Sequence, residues 1–137
     1  MILADTGPLI ALFDPADRDH ARCVTRLRAI REPLATTVPV LTEAFHLLSP
    51  ASRGARGLMR FVSDGGIGLW FFDDRTLLRA FELMEQYADA PMDLADASLV
   101  AAAEALALQK VFTLDRSDFS TYRIRRGHRY LGFEMIS

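Results

Sequence analysis

A strand followed directly by a helix is predicted by Ile2-Leu3-Ala4-Asp5-Thr6-Gly7-Pro8, near the amino terminus. The apolar residues have the character of a short buried strand, and the acid, threonine and glycine that follow are typical of a turn. The proline suits the first turn of a helix, where its missing N–H would have no partner in any case. We therefore expect a strand, a turn and a helix that continues to about Phe13.

The same alternation of strand and helix continues along the chain. Apolar runs predict strands at residues 34–37, 69–72, 111–114 and 133–136. Helical periodicity predicts helices at residues 18–31 (with Asp17 as the N-cap), 39–48, 52–62, 75–87 and 93–107. Helices between consecutive strands favour a parallel sheet covered on both faces. No linker or repeat divides the sequence, so we expect residues 1–137 to form a single three-layer α/β/α domain with a central parallel sheet of four to five strands.

The composition favours a cytoplasmic protein without a membrane-spanning segment. Half of the residues are hydrophobic, which is enough for one core, and no apolar stretch reaches the roughly 20 residues that cross a bilayer. We expect no signal peptide, because the first residues run directly into Asp5 without the basic start and long apolar run of such a segment. Cys23 is the only cysteine, so no internal disulfide can form, as is usual in a reducing compartment. The net charge of −2 excludes a uniformly basic protein that binds nucleic acid through charge alone.

Acidic residues follow the predicted strands. Asp5 and Asp115 each come directly after one, and Asp118 lies a short turn beyond the second. Ligands of open parallel sheets bind beyond the carboxyl ends of the strands, so we expect these acids at a binding edge. Aspartate is also common in turns and at helix N-caps, which is the ordinary explanation for each acid taken alone.

Two further acids lie in apolar surroundings. Glu43 is in the middle of a predicted helix, and Asp96 is followed by an almost entirely apolar helix. A carboxylate near such a core is costly unless it is paired or bound to metal, and a salt bridge to an arginine is the alternative. Asp93, three residues before Asp96, is placed as an N-cap that supports it.

Convergence of these acids would require a cation. Two carboxylates about 4 Å apart repel by on the order of 4 kcal/mol at an effective dielectric constant of roughly 20. Oxygen ligands of this kind suit Mg²⁺ or Mn²⁺. A zinc site is not expected, because His20, His46 and His128 are far apart and no cysteines are paired.

Four segments carry a resemblance to a known family. They are Ile2-Leu3-Ala4-Asp5-Thr6-Gly7-Pro8-Leu9-Ile10, Leu41-Thr42-Glu43-Ala44, Met92-Asp93-Leu94-Ala95-Asp96-Ala97-Ser98-Leu99-Val100-Ala101 and Phe112-Thr113-Leu114-Asp115-Arg116-Ser117-Asp118-Phe119. In this order, over nearly the whole chain, they resemble the PIN-domain ribonucleases and, within them, the VapC-type toxins of toxin–antitoxin pairs. No single segment is specific to this family, but the four segments in this order are a strong indication of it.

The resemblance implies a metal-dependent endoribonuclease that hydrolyses RNA phosphodiester bonds with Mg²⁺ or Mn²⁺. It assigns the catalytic and metal-binding acids to Asp5, Glu43, Asp96 and Asp115, with Asp118 as an alternative for the last metal ligand. It also implies a sheet of four or five parallel strands, a cognate antitoxin that blocks the site, and a homodimer.

Other residues are candidates for supporting roles. Thr6, Ser98 and Thr113 could donate hydrogen bonds to the acids, although capping or packing explains each as well. An arginine cluster near the carboxyl terminus, interleaved with Tyr122 and Tyr130, could hold the RNA backbone and stack bases, or could be solvated surface. Its members are Arg123, Arg125, Arg126 and Arg129.

Two rival functions are consistent with parts of the sequence. A catalytically silent PIN-like module that binds RNA or protein would keep the fold, but such a module would be expected to lose acids that this chain retains. A phosphoryl-aspartate enzyme also has an acid after its first strand. It would need a second acid where this chain has Gly7, or a lysine after a late strand, whereas Lys110 precedes one.

Overall fold

The computed structural model describes residues 1–137, and its centre is a parallel sheet with helices packed against it. The elements in chain order are β1 (Ile2–Ala4), α1 (Thr6–Phe13), α2 (His20–Ala29), β2 (Leu34–Thr37), α3 (Val38–Leu48), α4 (Arg53–Ser63), β3 (Gly68–Trp70), α5 (Asp74–Gln86), α6 (Leu94–Leu106), β4 (Lys110–Phe112), α7 (Arg116–Thr121), β5 (Arg123–Arg126), β6 (Arg129–Gly132) and β7 (Glu134–Ile136).

The five-stranded sheet has the order β3-β2-β1-β4-β7, and all its neighbouring strands are parallel. Every residue of β1 and β2 is buried, without the alternation of a half-exposed strand. Strands of this kind are covered on both faces, which is why they read as continuous apolar runs in the sequence. The predicted three-layer α/β/α architecture with five parallel strands is confirmed.

Helix α6 lies at the centre of the helical packing. Almost all of its residues from Ala95 to Ala103 are buried, and it packs against α5, α3, β2 and β5. Its many alanines let these neighbours approach closely, because a methyl group occupies little space between backbones. The prediction that this apolar helix is central is confirmed, and its polar amino-terminal end is therefore held in a fixed position.

Several predicted boundaries differ from the structure by a few residues. Helix α2 begins at His20 rather than 18, because the Asp17 carboxylate accepts a hydrogen bond from the Asp19 N–H in the preceding turn. The prediction that Asp17 caps this helix is therefore wrong. Strand β3 ends at Trp70 rather than 72, since Asp73 starts α5 with a reciprocal capping box to Thr76.

No element was predicted for residues 116–132, whereas the strand predicted at residues 133–136 is present as β7 (Glu134–Ile136). Residues 116–132 contain the short helix α7 and an antiparallel hairpin of β5 and β6, whose turn includes Gly127 with a positive φ of 62°. Glycine adopts this left-handed conformation without steric cost, which permits the tight turn. No helix of the structure combines the length and apolar character required to cross a membrane.

Candidate active site

Six carboxylates line one cleft at the carboxyl edge of the sheet. The cleft has a volume of about 610 Å³, and its acids are Asp5, Glu43, Asp93, Asp96, Asp115 and Asp118. Helix starts explain much of this arrangement, because Asp5, Asp93 and Asp115 are the N-caps of α1, α6 and α7. The parallel topology brings these helix starts to one edge, and the helix dipoles favour negative charge there. We call this the acidic cleft.

Asp5 is the most buried of these acids, with 8% of its surface exposed. Its Oδ1 accepts a hydrogen bond from the Thr6 N–H and its Oδ2 accepts one from the Thr113 hydroxyl, each at 2.8 Å. Burial raises the pKa of Asp5 to about 6, and the two hydrogen bonds only partly oppose that rise. Asp5 is therefore fixed in orientation but unfavourably placed as an isolated anion.

Asp96 lies in the first turn of α6 and is partly buried. Its Oδ2 accepts a hydrogen bond of 2.7 Å from the Tyr122 hydroxyl, and its backbone N–H donates to the Asp93 Oδ1 at 2.8 Å. Burial raises the pKa of Asp96 to about 7, opposed by the Tyr122 hydrogen bond and reinforced by the charges of Asp93 and Asp5. The pKa of the Tyr122 phenol is raised in turn, chiefly by burial and then by Asp96, so Tyr122 remains a donor.

Glu43 faces the cleft from α3 and its carboxylate accepts no hydrogen bond from the protein. Desolvation, followed by the negative charge of Asp93, raises the pKa of Glu43. Neither Glu43 nor Asp96 forms an ion pair with an arginine, so the alternative of a buried salt bridge is wrong for both. Both carboxylates are available to a ligand of the cleft.

Asp115 and Asp118 occupy the start of α7. The exposed Asp115 accepts a hydrogen bond from the Asp118 N–H at 3.0 Å, and its own N–H donates to the Thr113 hydroxyl at 2.9 Å. Burial and the neighbouring Asp115 raise the pKa of Asp118. Both acids line the cleft, but only Asp115 is connected through Thr113 to Asp5.

The candidate supporting residues have different surroundings. Thr113 is buried and bridges Asp5 to Asp115, as described above. Thr6 lines the cleft, and its buried Oγ1 has no hydrogen-bond partner. Ser98 lies elsewhere: its hydroxyl is 2.6 Å from that of Thr37 and donates to the Ala95 carbonyl, which ties α6 to the start of α3. Ser98 therefore supports helix packing and contacts no carboxylate.

The arginine cluster does not line the acidic cleft. Strand β5 starts beside Tyr122 and runs along α6, where the Arg125 N–H donates to Glu104 and Arg126 donates to the Leu108 carbonyl. Glu104 is about 12 Å along the helix axis from Asp96. Arg125, Arg126 and Arg129 thus extend towards the opposite end of α6 from the acids.

Two residues at the site were not singled out from the sequence. Arg116 is the one cation among the lining residues of the acidic cleft, and its position directly after Asp115 could have indicated this. Tyr122 was considered only as a base-stacking residue, whereas it is completely buried and hydrogen bonded to Asp96. No local pattern identifies that contact, because it joins residues 26 positions apart.

The residues of the cleft fit a hard divalent cation. The donors are carboxylate oxygens, and the Thr6 hydroxyl is a buried oxygen without a partner. Burial raises the pKa of both Asp5 and Asp96, and neither acid forms an ion pair with a cationic side chain. No three acids are close enough to form a complete ligand cage. An ion such as Mg²⁺ suits this geometry, because it is commonly held by one or two carboxylates and retains several waters.

Comparison with known proteins agrees with this description. The PIN domain family model matches residues 2–124. Ribonuclease VapC26 of Mycobacterium tuberculosis is 26% identical over 131 residues, which cover 94% of this chain and 97% of the relative. Among solved structures, the chain is similar in fold to M. tuberculosis VapC20, described as a sarcin–ricin loop cleaving toxin. The TM-score is 0.78 at 18% identity, covering 86% of this chain and 92% of that one.

A second solved structure, a toxin–antitoxin complex from Klebsiella pneumoniae, has a TM-score of 0.66 at 21% identity. It is matched over 88% of this chain and 92% of that one. The family match extends over most of the chain, from β1 into β5, and includes every acid of the cleft. The protein therefore belongs to the PIN domain family.

Proposed function

We propose that this protein is a VapC-type, metal-dependent endoribonuclease, the toxin of a toxin–antitoxin pair. The observation that carries the proposal is the acidic cleft itself, in which Asp5 and Asp96 are desolvated and neither forms an ion pair with a cationic side chain. Two desolvated carboxylates destabilise the folded protein when they are unpaired, and a divalent ion bound between them would balance their charge. The relatives named as a ribonuclease and as a cleaving toxin support the same activity.

Asp5 and Asp96 would hold the principal ion, Mg²⁺ or Mn²⁺, with Glu43 and one late acid beside it. The ion would supply positive charge to the phosphate oxygens and lower the pKa of the attacking water. Glu43 has no partner in the protein, so it is free to accept a hydrogen bond from that water and orient it. Water attacks the phosphorus and gives up a proton, the bond between phosphorus and the leaving oxygen breaks, and that oxygen takes up a proton, so that one water molecule is added across the bond.

Asp115 is our choice for the fourth acid, with Asp118 as its alternative. Thr113 donates to Asp5 and accepts from the backbone of Asp115, so one hydroxyl sets the relative position of the two. Asp118 has no such connection to Asp5. We assign Asp93 and Thr113 the role of supports, and Thr6 that of an additional oxygen near the ion.

RNA would approach along the exposed side of the cleft. Arg116 is suited to contact a phosphate next to the reacting one, because it is exposed and lines the cleft. The hairpin arginines, Arg125, Arg126 and Arg129, lie farther away and would contact only flanking RNA. Their contribution would be electrostatic and sensitive to salt.

We also propose a cognate antitoxin, a homodimer and action in the cytoplasm. A toxin–antitoxin complex is among the similar structures, which supports the antitoxin. Large apolar side chains are exposed at Leu47 in the cleft and at Phe71, Leu78 and Phe81 near and on α5. Apolar surface of this kind is suited to burial against another protein.

Cleavage of RNA by purified protein tests the proposal. Wild type, Asp5→Asn, Asp96→Asn and the control Asp64→Asn are incubated with a mixed cellular RNA pool in Mg²⁺, Mn²⁺ or EDTA. Asp64 lies at the end of α4, outside the cleft, so its variant removes one negative charge without touching the site. We expect metal-dependent fragments from wild type and Asp64→Asn alone. Retention of RNA without cleavage by wild type would instead favour the catalytically silent binding module.

A further inference from the structure

A buried tyrosine is hydrogen bonded to an acid of the cleft. Tyr122, directly after α7, is 0% exposed, and its hydroxyl donates to Asp96 Oδ2 at 2.7 Å. A buried phenol needs a hydrogen-bond partner, which in most cores is a backbone carbonyl or a neutral side chain. Here the partner is the Asp96 carboxylate, which we assign to the metal, so the hydrogen bond affects how this ligand is oriented in the cleft.

The position of the Tyr122 hydroxyl is fixed by aromatic packing. Its ring makes edge-to-face contacts with Phe119 at 5.2 Å and with Tyr87 at 5.3 Å between ring centres. The next residue, Arg123, donates its backbone N–H to the Tyr87 hydroxyl at 3.0 Å. These contacts hold the ring from two sides, and the hydroxyl therefore presents a donor at one defined place.

The Asp96 carboxylate is held at one oxygen only. Oδ2 accepts from Tyr122, whereas Oδ1 makes no hydrogen bond with the protein. The backbone of Asp96 is fixed separately by the Asp93 cap. Without Tyr122 the carboxylate could rotate about its side-chain bonds, and both oxygens would be free.

Asp5 also accepts a hydrogen bond from a hydroxyl group, although its other oxygen, unlike that of Asp96, is bonded to the Thr6 N–H. Its Oδ2 accepts from the Thr113 hydroxyl. Thr113 and Tyr122 belong to the same segment, which follows β4 and includes α7. One segment thus supplies a hydroxyl donor to each of the two principal acids.

We propose that Tyr122 is a positioning residue that holds Asp96 by one oxygen and leaves the other free for the divalent ion. This proposal rests on the proposed function, since it assumes that Asp96 binds metal. Outer hydrogen bonds of this kind orient metal ligands and restrict them to one coordination mode. The competing explanation is that Tyr122 is a core residue whose hydroxyl has met the nearest acceptor.

Direct measurement of Mn²⁺ binding separates the two explanations. Metal-stripped wild type, Tyr122→Phe and Tyr87→Phe are titrated with Mn²⁺ without RNA, and the free ion is followed by electron paramagnetic resonance. Tyr87→Phe is the matched control, because it removes a hydroxyl from the same aromatic cluster without removing a contact to an acid. Thermal unfolding confirms that each variant is folded.

We expect Tyr122→Phe to bind Mn²⁺ about 10-fold or more weakly, the loss typical of an outer hydrogen bond to a metal ligand, and Tyr87→Phe to bind like wild type. In an Asp96→Asn background, Tyr122→Phe should weaken binding no further. Equal affinity of wild type and Tyr122→Phe, or an equal loss in both tyrosine variants, would overturn the positioning role. Absence of Mn²⁺ binding by wild type would overturn the metal site of the proposed function, and this inference with it.

Discussion

Replacing Asp5 by asparagine should stabilise the metal-free protein at neutral pH. Asp5 is almost completely buried, and its pKa is raised because its ionised form is poorly solvated there. Well below pH 3.8, Asp5 is protonated in both the folded and the unfolded chain and carries no penalty. As the pH rises to about 6 the unfolded chain loses its proton first, so the folded state becomes progressively less stable.

The size of the stability change in Asp5→Asn follows from the pKa shift of Asp5. A pKa raised from 3.8 to about 6 corresponds to about 3 kcal/mol of lost stability above pH 6. Asparagine avoids this penalty but cannot accept the Thr113 hydrogen bond at its nitrogen, which costs about 1 kcal/mol. Asp5→Asn should therefore be about 1 kcal/mol less stable than wild type near pH 3.5 and about 2 kcal/mol more stable near pH 8.

Urea unfolding in EDTA at a series of pH values measures this difference, with Asp64→Asn as the control for the loss of one exposed charge. The difference between Asp5→Asn and wild type should change sign between pH 4 and 6, where Asp5 titrates. Saturating Mn²⁺ should then stabilise wild type more than the variant, since only wild type retains the ligand. A difference that stays constant across the pH range would refute the claim that Asp5 is a desolvated, uncompensated acid.

Three further variants test individual contacts of the site. Thr113→Val removes the hydroxyl that donates to Asp5, and we expect about 10-fold weaker metal activation of RNA cleavage in a Mn²⁺ titration, with the fold retained. Arg116→Ala should raise KM for RNA with little change in kcat, and it should reduce the salt dependence of KM. Arg125→Ala, outside the cleft, should change KM less. Equal effects of the two substitutions on KM would contradict the assignment of Arg116 to a phosphate contact. Ser98→Ala should lower the free energy of unfolding by about 1 kcal/mol and leave Mn²⁺ affinity unchanged, because its hydroxyl joins helices and not acids; weaker Mn²⁺ binding would show that it supports the site.

The sheet could be predicted because its strands are local apolar runs. Residues 34–37 were predicted as a strand with the observed limits, since two apolar residues precede two threonines, a residue type that favours strands, and all four side chains are buried. The acids could be predicted for a related reason. Asp5 and Asp115 are helix N-caps that also follow predicted strands, and Asp93 is placed to cap the apolar helix that follows it; these properties are visible in the local sequence.

Thr113 could be singled out as a possible hydrogen-bond donor to the acids, but the acid that it contacts could not be predicted. The contact between Tyr122 and Asp96 could not be predicted either, because both bonds join distant residues. Thr113 and Asp5 are 108 positions apart, and their hydrogen bond depends on the pairing of β4 with β1. Tyr122 reaches Asp96 only because α7 turns the chain back towards α6. The arginine cluster was proposed to hold RNA on the basis of its charge and its interleaved tyrosines, whereas the direction of β5 carries it away from the cleft. The sequence gives the charge of the cluster, but its position relative to the cleft depends on the path of the backbone.

The central claim is that Asp5 and Asp96 jointly bind a divalent cation in the acidic cleft. Anomalous diffraction from crystals soaked in Mn²⁺ tests it most directly, because the manganese signal locates the ion without reference to activity. We predict one peak within about 2.2 Å of a carboxylate oxygen of each of Asp5 and Asp96, with Asp96 Oδ2 still bonded to Tyr122 and water completing the coordination sphere. A peak held by other acids alone, or no peak at a Mn²⁺ concentration that supports RNA cleavage, would contradict the account.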